Sequence, residues 1–140
     1  MSVEPETESE RLVLQSFATL SAGDLEGVRS MLHEQATWKA QVRSVPGAGT
    51  HRGPGGIVDD FLRPIRALFR SGDPKILVDT IASRDKFVMI ESHSGGCLAD
   101  GRPYENLYAW AVEVRDGKIY ALREYFDSHY VIELTAPGAK

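Results

Sequence analysis

The pattern of apolar and polar residues divides the chain into a helical first half and a strand-rich second half. A first helix is predicted over residues 9–22, because four apolar residues recur there at helical spacing: Leu12, Val13, Phe17 and Leu20. Asp24 is well placed to cap a second, shorter helix. A third helix is predicted over residues 57–69, and Pro64 is expected to kink or divide it.

Strands are predicted where the apolar period becomes two. The first covers residues 36–42, and the Gly- and Pro-rich segments 45–49 and 53–56 are expected to be irregular. Strands over 76–82 and 86–98 follow, and residues 102–131 form two long arms joined at Asp116-Gly117. Asp-Gly is a strong hairpin signal, because both residues tolerate the positive φ of a type I′ turn. Helices followed by a meander predict an α+β fold, and a sheet bent around helices leaves a concave pocket.

Glu124 is the anomaly of the second arm, because it shares a face with the apolar Leu122 and Phe126. A carboxylate on an inward apolar face is costly unless it is paired or used chemically. The first arm has a largely apolar face of its own, made of Asn106, Tyr108, Trp110, Val112 and Val114.

Composition indicates one domain, with 140 residues of which 42% are hydrophobic and 26% charged. We expect a disordered tail over 1–8, a folded domain over 9–134 and a flexible tail over 135–140. The net charge of −4 and the lack of a Lys/Arg cluster argue against nucleic acid and favour a neutral or cationic small ligand. Cys97 is the only cysteine, so no intrachain disulfide and no zinc spacing are present. No apolar run approaches the roughly 20 residues of a membrane span, and a cytoplasmic protein without a membrane partner is expected.

Three stretches resemble the nuclear transport factor 2-like superfamily, in its SnoaL-like and ketosteroid-isomerase-like branch. Residues 20–38 (LSAGDLEGVRSMLHEQATW) resemble its opening of two helices and a strand, and residues 50–62 (THRGPGGIVDDFL) resemble the return into its third helix. Residues 117–131 (GKIYALREYFDSHYV) are similar to its final strand in limonene epoxide hydrolases. The resemblance implies a cone-shaped, curved mixed sheet wrapped around three N-terminal helices, with an internal pocket. The superfamily includes isomerases, polyketide cyclases, dehydratases, hydrolases and non-enzymatic binders, so the resemblance leaves the reaction open.

The active site of the ketosteroid isomerases is not retained in this sequence. Those enzymes use a tyrosine and a protonated aspartic acid as an oxyanion hole and a second aspartate as the base. The resemblance places these positions on Ser16, near Trp110, and on Ala40. Steroid isomerisation by that mechanism is therefore not expected.

The limonene epoxide hydrolase site is retained in part. Its Asp-Arg-Asp trio activates water and protonates the epoxide, and a tyrosine and an asparagine assist it. The resemblance places the trio on Glu91, His93 and Glu124, and the helpers on Trp38 and Ala40. Glu124 keeps the charge type of the aspartate that it replaces.

These positions predict an acid–base site. Glu91 and His93 are expected to lie on one strand face, directed into the same cavity as Glu124. An imidazole held by a carboxylate has the properties of a general acid or base, so His93 and Glu124 would exchange protons while Glu91 orients His93. The ligand would contact neutral donors and flat apolar walls, for which we predict Trp38, Asn106, Tyr108, Trp110 and Phe126.

The sequence therefore predicts a cofactor-independent isomerase, cyclase, dehydratase or hydrolase that acts on a small hydrophobic, oxygenated metabolite. The alternative is a ligand-binding or protein-interaction member of the same fold, in which the polar residues only satisfy one another. No cofactor or metal is expected. A homodimer is expected through the outer sheet face, where the apolar Leu107, Ala109 and Ala111 lie opposite Tyr108.

Overall fold

A computed structural model describes residues 3–136, which form a six-stranded mixed sheet with helices packed on its inner face. The helices are α1 (Glu8–Ser21), α2 (Leu25–Met31), α3 (Gly53–Ile57), α4 (Arg63–Arg66) and α5 (Ser128–Thr135), with a π-helical turn (Val58–Leu62) between α3 and α4. The strands are β1 (Leu32–Ala40), β2 (Gly49–Arg52), β3 (Lys75–Arg84), β4 (Phe87–Gly95), β5 (Leu107–Arg115) and β6 (Lys118–Phe126). The predicted α+β fold, a curved mixed sheet wrapped around N-terminal helices, is confirmed.

The hairpin of β5 and β6 lies in the middle of the sheet. The strand order is β2-β1-β6-β5-β4-β3, and every pair is antiparallel except β1 with β6. The turn is at the predicted place, with φ of 54° at Asp116 and 71° at Gly117. Because β6 lies between β1 and β5, Glu124 has strand neighbours on both sides: Ala40 and Trp110.

An aromatic cluster anchors the helices to the sheet. The Trp110 ring contacts that of Phe17 from α1 at 4.9 Å between centroids and that of Trp38 from β1 at 5.9 Å, both edge to face. Each buried aromatic side chain contributes about 1.5–3 kcal/mol through the area removed from water. Through these contacts the cluster holds α1 and β1 against the centre of β5.

The Gly- and Pro-rich region contains more regular structure than predicted. Residues 49–52 pair with β1 as the edge strand β2, and Pro54 lies in the first turn of α3, where its missing N–H costs nothing. Pro64 divides the third helical segment as expected. It follows the π-helical turn and lies in the first turn of α4, which ends at Arg66 and not at residue 69.

The last strand is shorter than predicted. It ends at Phe126 and does not continue to residue 131. The side chain of Asp127 accepts a hydrogen bond from Tyr130 N at 3.1 Å and caps α5. Arm residues 102–106 are outside β5 and cross the end of the sheet as a loop.

Parts of the two predicted tails lie outside the described residues. These are residues 1–2 and 137–140; within the described part α1 begins at Glu8 and α5 extends to Thr135. None of the helices between residues 3 and 136 has the length and apolar character needed to cross a bilayer.

Candidate functional site

A cavity of about 520 Å³ opens between the inner face of the sheet, the π-helical turn and α4, the loop before β5, and α5. Most of its wall is apolar, including Phe61, Ile65, Leu98, Phe126, Val131 and Leu134. A few polar residues interrupt this wall, chiefly Asp100, Arg102, Tyr104, Tyr108 and Glu124. An apolar concave wall with few polar groups is typical of a site for a small molecule.

Glu124 places a carboxyl group against this apolar wall. The residue is only 7% exposed, and its Oε1 accepts a hydrogen bond from Trp38 Nε1 at 3.0 Å. No Lys, Arg or His of residues 3–136 forms an ion pair with it. Burial raises the pKa of Glu124 to about 7, and the Trp38 hydrogen bond opposes part of that rise. The group therefore changes between acid and base near neutral pH, as proton transfer requires.

The hydroxyl groups of Tyr104 and Tyr108, the tyrosine pair, form a second polar feature of the cavity. Their oxygens are 2.7 Å apart. Burial raises the pKa of both phenols above the ordinary value, so both remain protonated near neutral pH. Two hydroxyl protons are present and the mutual hydrogen bond uses one of them, so the pair retains one proton to donate to a third group.

Asn106 holds the Tyr104 hydroxyl from behind the cavity wall. Its Oδ1 accepts from Leu107 N at 2.8 Å, which identifies the other amide atom as Nδ2. Nδ2 donates to the Tyr104 hydroxyl at 3.0 Å. The Tyr104 oxygen is therefore an acceptor toward Asn106, and its own proton is directed elsewhere.

Two of the five predicted ligand-binding residues line the cavity: Tyr108 and Phe126. The other three are buried behind its wall. Trp38 donates to Glu124, Asn106 donates to Tyr104, and Trp110 Nε1 donates to Ser92 Oγ at 2.8 Å while its ring stacks on Tyr108. These three residues position the polar groups that line the cavity.

The prediction that Glu91 and His93 face the cavity is wrong. In the β4–β5 pairing Glu91 lies opposite Ala109 and His93 opposite Leu107, on the face of the sheet turned away from the helices, the outer face. Glu91 Oε1 accepts from Thr80 Oγ1 at 2.8 Å, and His93 Nδ1 lies 2.9 Å from a carboxylate oxygen of Asp79. The inward positions of this part of β4 carry two buried serines, Ser92 and Ser94.

The register error has a simple physical origin. The resemblance alone placed Glu91 and His93, and the hydrophobic pattern does not fix the register of this strand. Both faces of β4 begin with apolar residues: Phe87 and Met89 outside, Val88 and Ile90 inside.

Sequence reasoning missed Tyr104, Asp100 and Arg102. Tyr104 could have been found from the sequence. It lies two residues before Asn106 and four before Tyr108, and alternate residues of an extended chain share a face. Arg102 and Asp100 lie in a loop without periodicity. There Asp100 accepts hydrogen bonds from Arg102 N at 3.0 Å and from Arg102 Nε at 2.9 Å, and the backbone bond, followed by the guanidinium, holds the pKa of Asp100 below its ordinary value.

Within residues 3–136 no group of three His, Cys, Asp or Glu side chains is arranged to hold a metal ion. The polar groups of the cavity described above are the carboxyl group of Glu124, the tyrosine pair, and the ion pair of Asp100 with Arg102.

Comparison with known proteins gives a family and a shared fold. Residues 13–122 match the SnoaL-like domain family. No curated protein sequence matches the chain. Among solved structures, TerC co-crystallised with polyporic acid is 21% identical over 91% of this chain and 99% of that chain, with a TM-score of 0.78.

Two further structures are similar to the same extent. An NTF2-like protein of unknown function from Burkholderia pseudomallei is 16% identical, over 93% of this chain and 98% of its own, with a TM-score of 0.81. An LEH-like epoxide hydrolase from M. tuberculosis is 21% identical, over 91% and 90% of the two chains, with a TM-score of 0.74. At these identities the likeness establishes the fold alone.

Proposed function

This chain belongs to the SnoaL-like domain family, and on that premise we propose that it is a cofactor-independent acid–base enzyme acting on a small, mostly hydrophobic, oxygenated molecule. The observation that carries the proposal is Glu124, a buried carboxyl group with a pKa of about 7 beside an apolar cavity. Charged side chains are rarely buried without an ionic partner, and a strongly shifted pKa in a cavity marks a functional group.

The proposed roles follow from the donors and acceptors that line the cavity. Ionised Glu124 removes a proton from a carbon or a water molecule, and protonated Glu124 returns it to an oxygen or a carbon of the substrate. The free proton of the tyrosine pair is donated to a substrate oxygen on which negative charge develops. The apolar wall binds the rest of the molecule and excludes water.

The test uses three classes of oxygenated probe: polyporic acid, a cyclic epoxide (cyclohexene oxide) and an enolisable ketone (2-cyclohexenone). Polyporic acid was co-crystallised with the similar protein TerC, and an epoxide is the class of substrate named for the similar epoxide hydrolase. The ketone tests proton abstraction next to a carbonyl. Binding is measured by Trp fluorescence, and turnover by product NMR in D₂O, which also detects exchange of carbon-bound hydrogen.

We expect at least one bound probe to be turned over, and we expect Glu124→Gln to lower that rate by about 100-fold or more, because the variant cannot transfer a proton. Glu91→Gln is the matched control, since it removes the same charge from the outer face. If Glu124 acts as the base, the rate rises with pH through about 7; if it acts as the acid, the rate falls. Equal activity of wild type and Glu124→Gln would contradict the proposal.

A specific observation favours the alternative of a non-catalytic ligand-binding protein. Because Glu91 and His93 lie on the outer face, Glu124 has no second acid or base of the predicted trio beside it. The same experiment separates the two functions. Probes that bind in the cavity and are never turned over or exchanged would identify a binding protein.

A further inference from the structure

We infer that Arg102 binds an anionic oxygen group of the ligand, so that the cavity selects amphipathic molecules with an acidic end, such as carboxylates or acidic enols. This inference rests on the proposed small-molecule function of the cavity and narrows its substrate class. The net charge of the chain disfavours anions in general. Recognition of an acidic group must therefore come from a local cation.

Among residues 3–136, Arg102 is the only basic residue that lines the cavity. It follows the exposed residues Ala99 and Asp100, which line the same cavity, so it belongs to the part of the wall that is open to water. Its side chain keeps 26% of its surface accessible. A ligand that enters the cavity thus meets this guanidinium near the rim.

The guanidinium of Arg102 has spare donors. Asp100 takes the backbone N–H and Nε, and this contact fixes the position of the side chain. Within residues 3–136 neither terminal nitrogen has an acceptor. Nη1 is shielded from water, so the donor that a ligand can reach is Nη2. Charge strengthens a hydrogen bond from a guanidinium to a carboxylate, which makes this nitrogen well suited to bind an acidic group.

Glu124, at the buried end of the cavity, distinguishes the two ends of the ligand. Glu124 is almost fully buried and becomes negative above a pH of about 7, so an anionic group of the ligand is repelled from that end. The tyrosine pair offers one hydroxyl proton, which suits a neutral carbonyl, ether or hydroxyl oxygen. The arrangement therefore favours a ligand with its acidic group at Arg102, its apolar body along Phe126 and Leu98, and its reacting oxygen near Glu124.

The experiment uses the purified chain and two isosteric probes, 2-naphthoate and 2-naphthamide, which differ in charge but hardly in shape. Dissociation constants are measured by calorimetry, and amide chemical shifts of Leu98, Tyr108 and Phe126 confirm that both probes occupy the cavity. We expect Arg102→Gln to weaken naphthoate binding about 10-fold while naphthamide binding stays unchanged. Added salt should weaken only naphthoate binding.

Arg84→Gln is the matched control, because it changes the net charge equally but lines a separate surface groove. Equal losses for both probes in Arg102→Gln, the same loss in Arg84→Gln, or no cavity binding by either probe to the wild type would each overturn the inference. Failure of the proposed catalytic function gives a different result: naphthoate remains preferred through Arg102, while Glu124→Gln has no effect on turnover of any probe.

Discussion

Glu124 makes the stability of the fold depend on pH. Its pKa is about 7 in the folded chain against an ordinary value of 4.5, so between these values the folded state binds more protons than the unfolded state. The folded state is therefore most stable below about pH 4.5. Its stability falls as the pH rises from there to about 7 and is constant above about pH 7. One pKa unit corresponds to about 1.4 kcal/mol, so the difference between 4.5 and about 7 gives a total effect of roughly 3 kcal/mol.

Glu124→Gln removes this dependence, because an amide does not ionise and its oxygen can still accept from Trp38 Nε1. We expect the variant to be about 3 kcal/mol more stable than wild type at about pH 8 and nearly equal to it at about pH 4. Urea unfolding at both pH values measures the difference. Glu91→Gln is the control, as its carboxylate lies on the outer face. An identical pH dependence in wild type and Glu124→Gln would show that the carboxyl group is not buried as described.

Single residues differ in how far the sequence reveals their role. Glu124 was recognisable, because a carboxylate between Leu122 and Phe126 breaks an apolar face and has few physical explanations. The same alternation rule failed for His93, since neither face of β4 is polar enough to fix the register. Arg102 gives no local signal: its importance comes from the cavity beside it, which is formed by segments far apart in the sequence.

At the scale of elements, α5 forms one wall of the cavity without being buried itself. Val131 and Leu134 line the cavity, yet no residue of the helix is fully buried. The contacts that hold its first turn include the Asp127 cap, the hydrogen bond from Glu105 N to the Tyr130 hydroxyl at 3.1 Å, and the packing of the Tyr130 ring against Tyr104. So short a helix depends on its cap and on tertiary packing, because isolated helices of this length are unstable in water.

Asp127→Ala should therefore loosen α5 by about 1 kcal/mol and weaken ligand binding with it. Hydrogen exchange of residues 128–135 is expected to accelerate, while the amides of β5 remain protected. Asp24→Ala is the control, because it removes an equivalent side-chain cap from α2, whose residues do not line the cavity. Unchanged exchange in 128–135 would mean that α5 is held by its packing alone.

The elements that the sequence predicted well are those whose own residues determine them. The β5–β6 hairpin follows from alternation on both arms and from the two turn residues, and α1 follows from its apolar spacing. Strand β2 and helix α3 were missed, because their Gly- and Pro-rich sequence has no intrinsic preference and pairing with β1 determines the conformation. The predicted end of β6 was wrong because a local signal was overlooked. Residues 128–131 are compatible with a strand, but the side chain of Asp127 caps a helix that begins at residue 128.

At the scale of the whole molecule, the outer face exposes apolar side chains that a monomer does not cover. Leu107 is 71% exposed, and the same face carries Tyr125, opposite Ala109, at 42% and Met89, opposite Ala111, at 41%. Large exposed apolar patches mark interaction sites. We expect this face to bind a second copy of the chain, because one patch can pair with itself about a twofold axis.

Leu107→Asp tests this assembly, because a charge in the centre of an apolar interface loses its hydration without gaining a partner. Light scattering of the wild type should give twice the monomer mass of 15.5 kDa, and the variant should give the monomer mass. Ile132→Asp is the control, since Ile132 is an exposed apolar residue on α5 and not on the sheet. The cavity lies on the other side of the sheet, so the monomeric variant should still bind 2-naphthoate. A wild type that is monomeric at all concentrations would leave the outer face free and contradict the dimer.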